Sequence, residues 1–248
     1  MKVQLVGESC LDVYVYGHCP RLSPEAPVPV FLEKQRVNTP GMVGNVMANL
    51  LALGVDIQLH TQVERIVKTR YVEETRNHPL LRVDEDAATI LPFDWDLIDS
   101  GMPLMVSDYN KGFLREDRLE TYKSTPSFID TKRALGRWAM PYDFIKINQH
   151  EYEANRSFCE ANKTWLAPKL VVTLGHEGAL YMGEHFKVRP AQVFDVTGAG
   201  DTFFAAFVAS YLKHSSAMKA IHFANECARS VVMERGTSVV SPLCAGFM

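Results

Sequence analysis

The run Asp195-Val196-Thr197-Gly198-Ala199-Gly200-Asp201-Thr202-Phe203-Phe204 carries residue types that could do chemistry. Gly198 and Gly200 allow a tight backbone turn, and the apolar residues after them predict a helix through about Leu212. The first amides of a helix lack partners of their own and stand at the positive end of its dipole, so such a start is a ready anion site. Asp201 alone could be an ordinary helix cap. A cap does not account for two acids, Asp195 and Asp201, flanking a nest of phosphate size. A carboxylate beside a bound phosphate can accept the proton of a hydroxyl that attacks phosphorus, while the amides hold the charge developing on the transferred group. The pattern therefore points to phosphoryl transfer onto an alcohol.

Such a turn needs a scaffold, and the rest of the chain predicts one. Leu104–Val106, Ser127–Ile129, Phe144–Ile147 and Leu170–Leu174 are short apolar runs with the composition of buried strands. Leu114–Lys123, Arg133–Trp138 and Glu151–Cys159 lie between them as candidate helices, an alternation that implies βαβ units and a parallel sheet. Each strand ends in polar residues: Ser107-Asp108, Asp130-Thr131-Lys132, Asn148 with Glu151, and Gly175-His176. Ligands of open α/β sheets bind outside the carboxyl ends of the strands, so the four ends are expected on one rim. The first half differs. After a Lys2–Val6 strand comes a turn-rich stretch, Gly17–Pro27, then Val28–Leu32, whose flanking prolines suit an edge strand. Arg70–Val72 and Leu80–Val83 surround an Asn77-His78-Pro79 turn. These strands, drawn from about residues 12–37 and 66–84, are expected to form a small β-flap on a single domain spanning 1–248.

Composition excludes several classes. The chain has 248 residues, 26 Lys+Arg against 29 Asp+Glu, and 47% hydrophobic residues. That is an ordinary globular balance, with no overall field for nucleic acid or anionic membranes. Five scattered cysteines (Cys10, Cys19, Cys159, Cys227, Cys244) form neither a disulfide framework nor a zinc pattern. The N-terminal apolar run is too short for a signal peptide, and no membrane-length apolar stretch occurs, so a cytoplasmic chain is expected.

The D-x-T-G-A-G-D-T-F string at Asp195–Phe203 resembles the C-terminal signature of the ribokinase-like (PfkB) carbohydrate kinases. Pro40-Gly41-Met42-Val43-Gly44-Asn45-Val46-Met47-Ala48, with Leu53-Gly54, is similar to that family's N-terminal G-G-x-x-N-x-A helix start. Arg21–Val30, Leu80–Asp84, Ser107–Gly112 and Gly236–Pro242 resemble, more closely, the kinase half of the bifunctional heptose kinase/adenylyltransferases of lipopolysaccharide-core synthesis. The resemblance runs from about Leu5 to Pro242. It implies a three-layer sandwich with a mostly parallel sheet and a β-lid, an ATP- and Mg²⁺-dependent sugar kinase, and a heptose 7-phosphate acceptor taking phosphate on its anomeric hydroxyl. The adenylyltransferase half of those relatives is not expected here.

Roles follow from the resemblance residue by residue. Asp201 would be the general base, with Gly198, Ala199 and Gly200 as the anion hole. Asn148 and Glu151 match the N-x-x-E pattern that helps hold Mg²⁺ and the phosphates. Asp12 and Asn45 would bind sugar hydroxyls, with Gly41 allowing close approach and Asp108 and Lys111 lining the site. Lys132, Thr173, Gly175, Gly178 and Asn225 would border the nucleotide, and Asp195 with Ser238 would hold a monovalent cation, K⁺. A phosphorylated acceptor needs a cationic clamp in an acidic chain, and Arg21, Arg70 and Arg82 are its candidates. The lid would also offer a homodimer contact. Three departures bear on substrate choice: Met42 for the second glycine, Gly7-Glu8 for Gly-Asp, and a Val55–Thr69 stretch shorter than in the relatives. They leave open another sugar or nucleoside kinase, or a non-catalytic sugar- or nucleotide-binding relative.

Overall fold

Apolar residues come in adjacent pairs along the central strands: Leu5-Val6, Met105-Val106, Phe128-Ile129, Phe144-Ile145 and Val171-Val172. Successive side chains of a strand face opposite ways, so such pairs demand cover on both sides of a sheet. The computed structural model, which describes residues 1–120, 124–234 and 238–241, supplies it.

In chain order the strands are β1 (Lys2–Gly7), β2 (Ser9–Leu22), β3 (Pro29–Met42), β4 (Asp56–His60), β5 (Val67–Glu73), β6 (His78–Glu85), β7 (Leu104–Asp108), β8 (Ser127–Thr131), β9 (Phe144–Asn148), β10 (Leu170–Thr173), β11 (Ala179–Tyr181) and β12 (Glu184–Phe186). The helices are α1 (Val43–Ala52), α2 (Glu116–Leu119), α3 (Gln149–Ala154), α4 (Arg156–Ala161), α5 (Lys163–Leu166), α6 (Ala199–His214) and α7 (Ala217–Val231). An eight-stranded sheet has the order β12-β11-β10-β9-β8-β7-β1-β4, parallel from β10 to β4 and closed at the other end by the β11–β12 hairpin. Leu5, Met105, Phe128, Phe144 and Val171 pack under α1, α6 and α7. Val6, Val106, Ile129, Ile145 and Val172 pack against Leu119, Trp138 and Leu166 on the opposite face. The fold is thus an α/β sandwich in three layers, as the resemblance implied.

The lid is a second, four-stranded sheet ordered β3-β2-β5-β6, with β3 at an edge as Pro29 in the sequence suggests. β2 and β5 run parallel, each with an antiparallel neighbour, around Val13, Val15 and Val67. Where turns are expected from Gly17, β2 instead continues to Leu22. Register shifts at Tyr16/Gly17 and His18/Arg21 absorb Gly17 and Pro20 without ending the pairing. The β5–β6 turn reaches back to the main body, where Asn77 Nδ2 donates to Phe194 O at 3.2 Å.

The connecting helices also differ from expectation. Of Arg133–Trp138, only Arg137 and Trp138 are helical, in the short 3₁₀ helix Arg137–Ala139. The Arg133 guanidinium is drawn to Asp108 Oδ2 (2.7 Å) and to Leu114 O, Asn155 Oδ1 takes the Leu135 amide at 2.7 Å, and Gly136 is extended. Of Leu114–Lys123, only Glu116–Leu119 is helical, and 121–123 lie outside the described residues. Glu151–Cys159 is split at Asn155, whose side-chain amide donates to Glu151 O at 2.8 Å. Among the described residues no helix is long and apolar enough to cross a membrane.

Candidate active site

Gly198 is the N-cap of α6 at φ 81°, ψ −4°, a left-handed conformation that costs glycine little. The helix then opens with Ala199, Gly200 and Asp201. The Ala199 amide donates to Val196 O at 3.3 Å, closing the turn, so one of the three expected cradle residues has its N–H engaged by the chain itself. Asp201 is buried, with Asn45 Nδ2 donating to Oδ2 at 3.0 Å and Tyr109 Oη to Oδ1 at 2.7 Å. Asn45 comes from the first turn of α1, and its own Oδ1 accepts from Asn49 Nδ2 at 3.1 Å. Asn49 in turn takes the Val240 amide at 3.0 Å, so a relay of amides fixes the group that meets Asp201. Burial raises the Asp201 carboxyl, the Asp130 charge adds to the rise, and the two donors and Lys146 oppose it. A carboxylate so placed can accept a proton from an alcohol near neutral pH.

Beside it opens a cavity of about 1010 Å³, bounded by the α6 start and the carboxyl ends of β8, β9 and β10. Asp130, Lys132, Asn148, Thr173, Gly175, His176, Gly178 and Asn225 line it, so three of the four expected strand ends meet on one rim. Lys146 crosses its floor, 2.8 Å from Asp130 Oδ2, with both side chains almost fully buried. Asp130 Oδ1 is buried and makes no hydrogen bond. Lys132 Nζ pairs with Glu151 Oε1 at 2.7 Å. Burial works against the Lys132 ammonium, but the Asp130 and Glu151 carboxylates outweigh it and raise the group. Asn148 and Glu151 form a reciprocal capping box at the start of α3, so both also have a structural task. Asn225 Nδ2 donates to Phe186 O at 2.8 Å, tying α7 to β12 while its side chain faces the cavity.

On the lid side, Asp12 lies in β2 directly against Gly41 of β3: a Cβ at Gly41 would stand 2.1 Å from Asp12 Oδ2. Arg70 donates to Asp12 Oδ1, and its guanidinium lies 5.2 Å from the Tyr14 ring centre. Arg82 is the cross-strand partner of Arg70, held by Asp84 at 2.6 Å, and both arginines line a second cavity of about 520 Å³ whose far wall includes Asp195. Lys68 of β5 reaches inward, 5.4 Å from the Tyr109 ring centre.

Two expected acceptor residues, Asp108 and Arg21, are elsewhere, and Lys111 is engaged by a neighbour. Asp108 is turned into the protein, with Oδ1 taken by the Asn110 amide at 3.0 Å and Oδ2 by Thr131 Oγ1 and Arg133 Nε, each at 2.7 Å. Arg21 is exposed, opposite Val30 on the far arm of the lid. It stands seven residues beyond Tyr14, roughly 23 Å along an extended strand, so it cannot act with Arg70 and Arg82. Lys111 is paired with Asp86, and its backbone amide donates to Glu8 Oε1 at 3.2 Å. The two departures near the lid have structural roles. Glu8 is wholly buried and receives the Tyr109 amide (2.9 Å) as well as that of Lys111. Met42 is buried beside Cys10 and Ile66 at φ 54°, ψ −130°, a conformation strained for any residue but glycine. Asp195 and Ser238 meet at the end of α7: the Asp195 amide donates to Val232 O at 3.4 Å, and the Ser238 hydroxyl to Val231 O at 3.1 Å. Gly236, Thr237, Pro242 and Cys244 lie outside the described residues.

Tyr109 and Lys146 were not singled out as site residues by sequence reasoning, and Asp130 was expected only as one of the polar strand ends on the rim. A lysine inside the apolar run Phe144-Ile145-Lys146-Ile147 was a usable signal, because a buried ammonium requires a partner. The contact of Tyr109 with Asp201 joins residues 92 positions apart, and only the fold brings them together.

The fold and this cradle define a ribokinase-like phosphotransferase. The sequence model "pfkB family carbohydrate kinase" matches residues 117–244, and the chain belongs to that family. It is 30% identical over 296 residues to "Bifunctional protein HldE" of Hahella chejuensis, an alignment covering 97% of this chain and 61% of that protein. The protein of the same name from Nitratiruptor is 28% identical, with 97% and 63% covered. The chain therefore spans less than two thirds of the length of these relatives. Among solved structures, ribokinase from Thermotoga maritima superposes with a TM-score of 0.73 at 15% identity, covering 99% of this chain and 98% of that one. Phosphofructokinase-2 from Escherichia coli, in complex with substrates and products, gives 0.72 at 16% identity, covering 99% and 97%.

Proposed function

We propose that this carbohydrate kinase transfers the γ-phosphoryl group of ATP to the anomeric hydroxyl of a heptose 7-phosphate. The observation that carries the reading is Asp201: a buried carboxylate with both oxygens within hydrogen-bond reach of donors, at the mouth of a glycine-lined helix start and a cavity large enough for a nucleotide. The triphosphate enters against Gly198–Asp201, where the helix start, apart from the Ala199 amide held by Val196 O, offers N–H groups without helical partners and the α6 dipole. Lys132 and Lys146 bring positive charge to the same floor. Thr173, Gly175, Gly178 and Asn225 border the base and ribose. The acceptor lies between Asp12, Gly41 and Asn45, and its hydroxyl gives its proton to Asp201 as it attacks phosphorus. Arg70 and Arg82, side by side on the lid, bind the distal phosphate bidentately. Closure of the lid, already latched through Asn77, keeps water from the transferred group.

The donors on the floor suit Mg²⁺ brought in by the phosphates: Asp130 presents a buried oxygen without a hydrogen bond, and Glu151 is at hand beyond Lys132. Mg²⁺ there would neutralise charge on the phosphates. Asp195, Ser238 and the carbonyls at the end of α7 are our candidates for a K⁺ site. The exposed apolar face of β6, with Leu81 and Val83, would carry a homodimer contact.

The heptose assignment rests on the family resemblance, the relatives and the paired arginines. A panel of acceptors tests it: heptose 7-phosphate, ribose, fructose, fructose 6-phosphate and a nucleoside, each with Mg-ATP and a coupled ADP readout. Heptose 7-phosphate should give the highest kcat/KM, and Arg70→Met should lower it by about tenfold or more, the scale of one charge-assisted hydrogen bond. Preference for an unphosphorylated sugar, unaffected by that change, would replace heptose phosphate with a different acceptor.

A further inference from the structure

What already sits on a catalytic base decides how the site behaves before its acceptor arrives. Tyr109 Oη donates to Asp201 Oδ1 at 2.7 Å. A phenolic O–H on that carboxylate presents the group an attacking alcohol must present, at the distance it must adopt. The turn that carries Tyr109 is fixed without the phenol: Glu8 receives the amides of Tyr109 and Lys111 at 2.9 and 3.2 Å, and Asp108 receives that of Asn110 at 3.0 Å. The ring is flanked by Lys68 at 5.4 Å and Lys132 at 5.6 Å, packs on the Met42–Cys10–Ile66 cluster, and borders the nucleotide cavity. It therefore stands at the boundary between nucleotide and lid, where acceptor and phosphoryl group must meet.

We propose that the Tyr109 phenol is an internal stand-in for the acceptor hydroxyl, occupying Asp201 and keeping water off it until a sugar displaces it. The idea rests on Asp201 being the base. With the phenol in place, a water molecule near the bound triphosphate finds Asp201 Oδ1 engaged and Oδ2 held by Asn45, so hydrolysis of ATP is suppressed. A sugar anchored through several hydroxyls outcompetes a single phenol. Tyr109 is thus a positioning residue that guards the base, with no bond made or broken at its own oxygen.

The test is acceptor-free ADP release from Mg-ATP by the wild type, Tyr109→Phe, Asp201→Asn and the double variant. Phe keeps the ring and its lysine contacts, and melting curves check that each variant folds. Tyr109→Phe should raise acceptor-free ADP release by about tenfold, the scale of one lost hydrogen bond to a carboxylate, and lower KM for the acceptor. The double variant should lose the gain. Wild-type hydrolysis in folded Tyr109→Phe overturns the proposal, as does a gain that survives Asp201→Asn. If Asp201→Asn alone leaves acceptor-dependent turnover intact, the base reading itself falls; if that turnover is lost but Tyr109→Phe does not accelerate hydrolysis, only the guard does. A second readout needs no substitution to fold: in ¹³Cζ-tyrosine-labelled wild type, one resonance should shift on saturation with heptose 7-phosphate, and spectra unchanged at saturation contradict displacement.

Discussion

Gly200→Ala separates the cradle's chemistry from its structure. Gly200 is the second residue of α6, and alanine is the better helix former by up to about 1 kcal/mol. For a chain of this size that corresponds to a rise in Tm of at most about 2–4 °C. Against this, the new methyl would stand 3.2 Å from Lys146 Nζ, a few tenths of an ångström too close. Lys146 is held at 2.8 Å by Asp130 with only 5% of its side chain exposed, so the ammonium yields slightly while the pair survives. The two effects nearly cancel, and we expect a Tm within about 3 °C of wild type. The cavity does not recover in the same way. The methyl enters the wall that we propose receives the phosphates, and displacing even one oxygen from its amide should weaken ATP by about tenfold or more, about 1.4 kcal/mol. Calorimetric titration with Mg-ATP measures the affinity, and thermal unfolding measures the fold. Wild-type affinity in a normally folded Gly200→Ala protein would show that the triphosphate does not approach this helix start, and the cradle argument would be wrong.

Other expectations follow from the same geometry. Lys146→Met leaves Asp130 buried with only Lys132, 4.0 Å away, as its cation and should cost about 3 kcal/mol in chemical denaturation, most of it recovered by Lys146→Met/Asp130→Leu. Turnover should fall on the acid side through a pKa above the ordinary aspartate value of 3.8, because burial lets Asp201 keep its proton to higher pH and only the ionised form acts as base. Asn45→Ala removes a donor to that ionised form, so the pH–rate profile should move further towards alkaline pH; an unmoved limb would detach it from Asp201. By linkage the native state binds this proton more tightly than the unfolded chain, so the Asp201 contribution to stability is present below the unfolded pKa and lost as pH rises through the folded one. At Met42, glycine should be more stable than alanine by about 1 kcal/mol, the reverse of the usual order, because both delete the side chain and only alanine keeps the strain at φ 54°. Arg21→Ala should leave acceptor KM unchanged.

The architecture was legible because it is written in local pattern. The four apolar runs became β7 to β10 because their paired residues are covered on both faces, and the strand ends converged because parallel neighbours share a direction. The helix after Gly198 was equally plain. What sequence could not supply was side-chain direction. Asp108 closes β7, whereas Asp130 lies one residue before the end of β8, opposite Ser107, so the pleat turns the two to opposite faces: Asp108 meets Arg133 and Thr131 while Asp130 faces the cavity. Arg21, Arg70 and Arg82 look alike along the chain, and only strand register shows that the last two are neighbours. Arg133–Trp138 reads as helical, but two long-range side-chain contacts hold residues 133–136 open and leave only a 3₁₀ turn after them. Tyr109 was passed over because its partner is contributed by a helix from the other end of the chain.

The central claim is that Asp201 deprotonates a sugar hydroxyl while the α6 start holds the phosphoryl group. ³¹P NMR of Mg-ATP with heptose 7-phosphate tests it most directly, since the product's new anomeric phosphate resonates apart from ADP and the distal phosphate. The wild type should build that resonance in step with ADP, and folded, ATP-binding Asp201→Asn should form it about 10²–10⁴-fold more slowly. The same resonance growing at an undiminished rate in the variant would remove Asp201 from the chemistry.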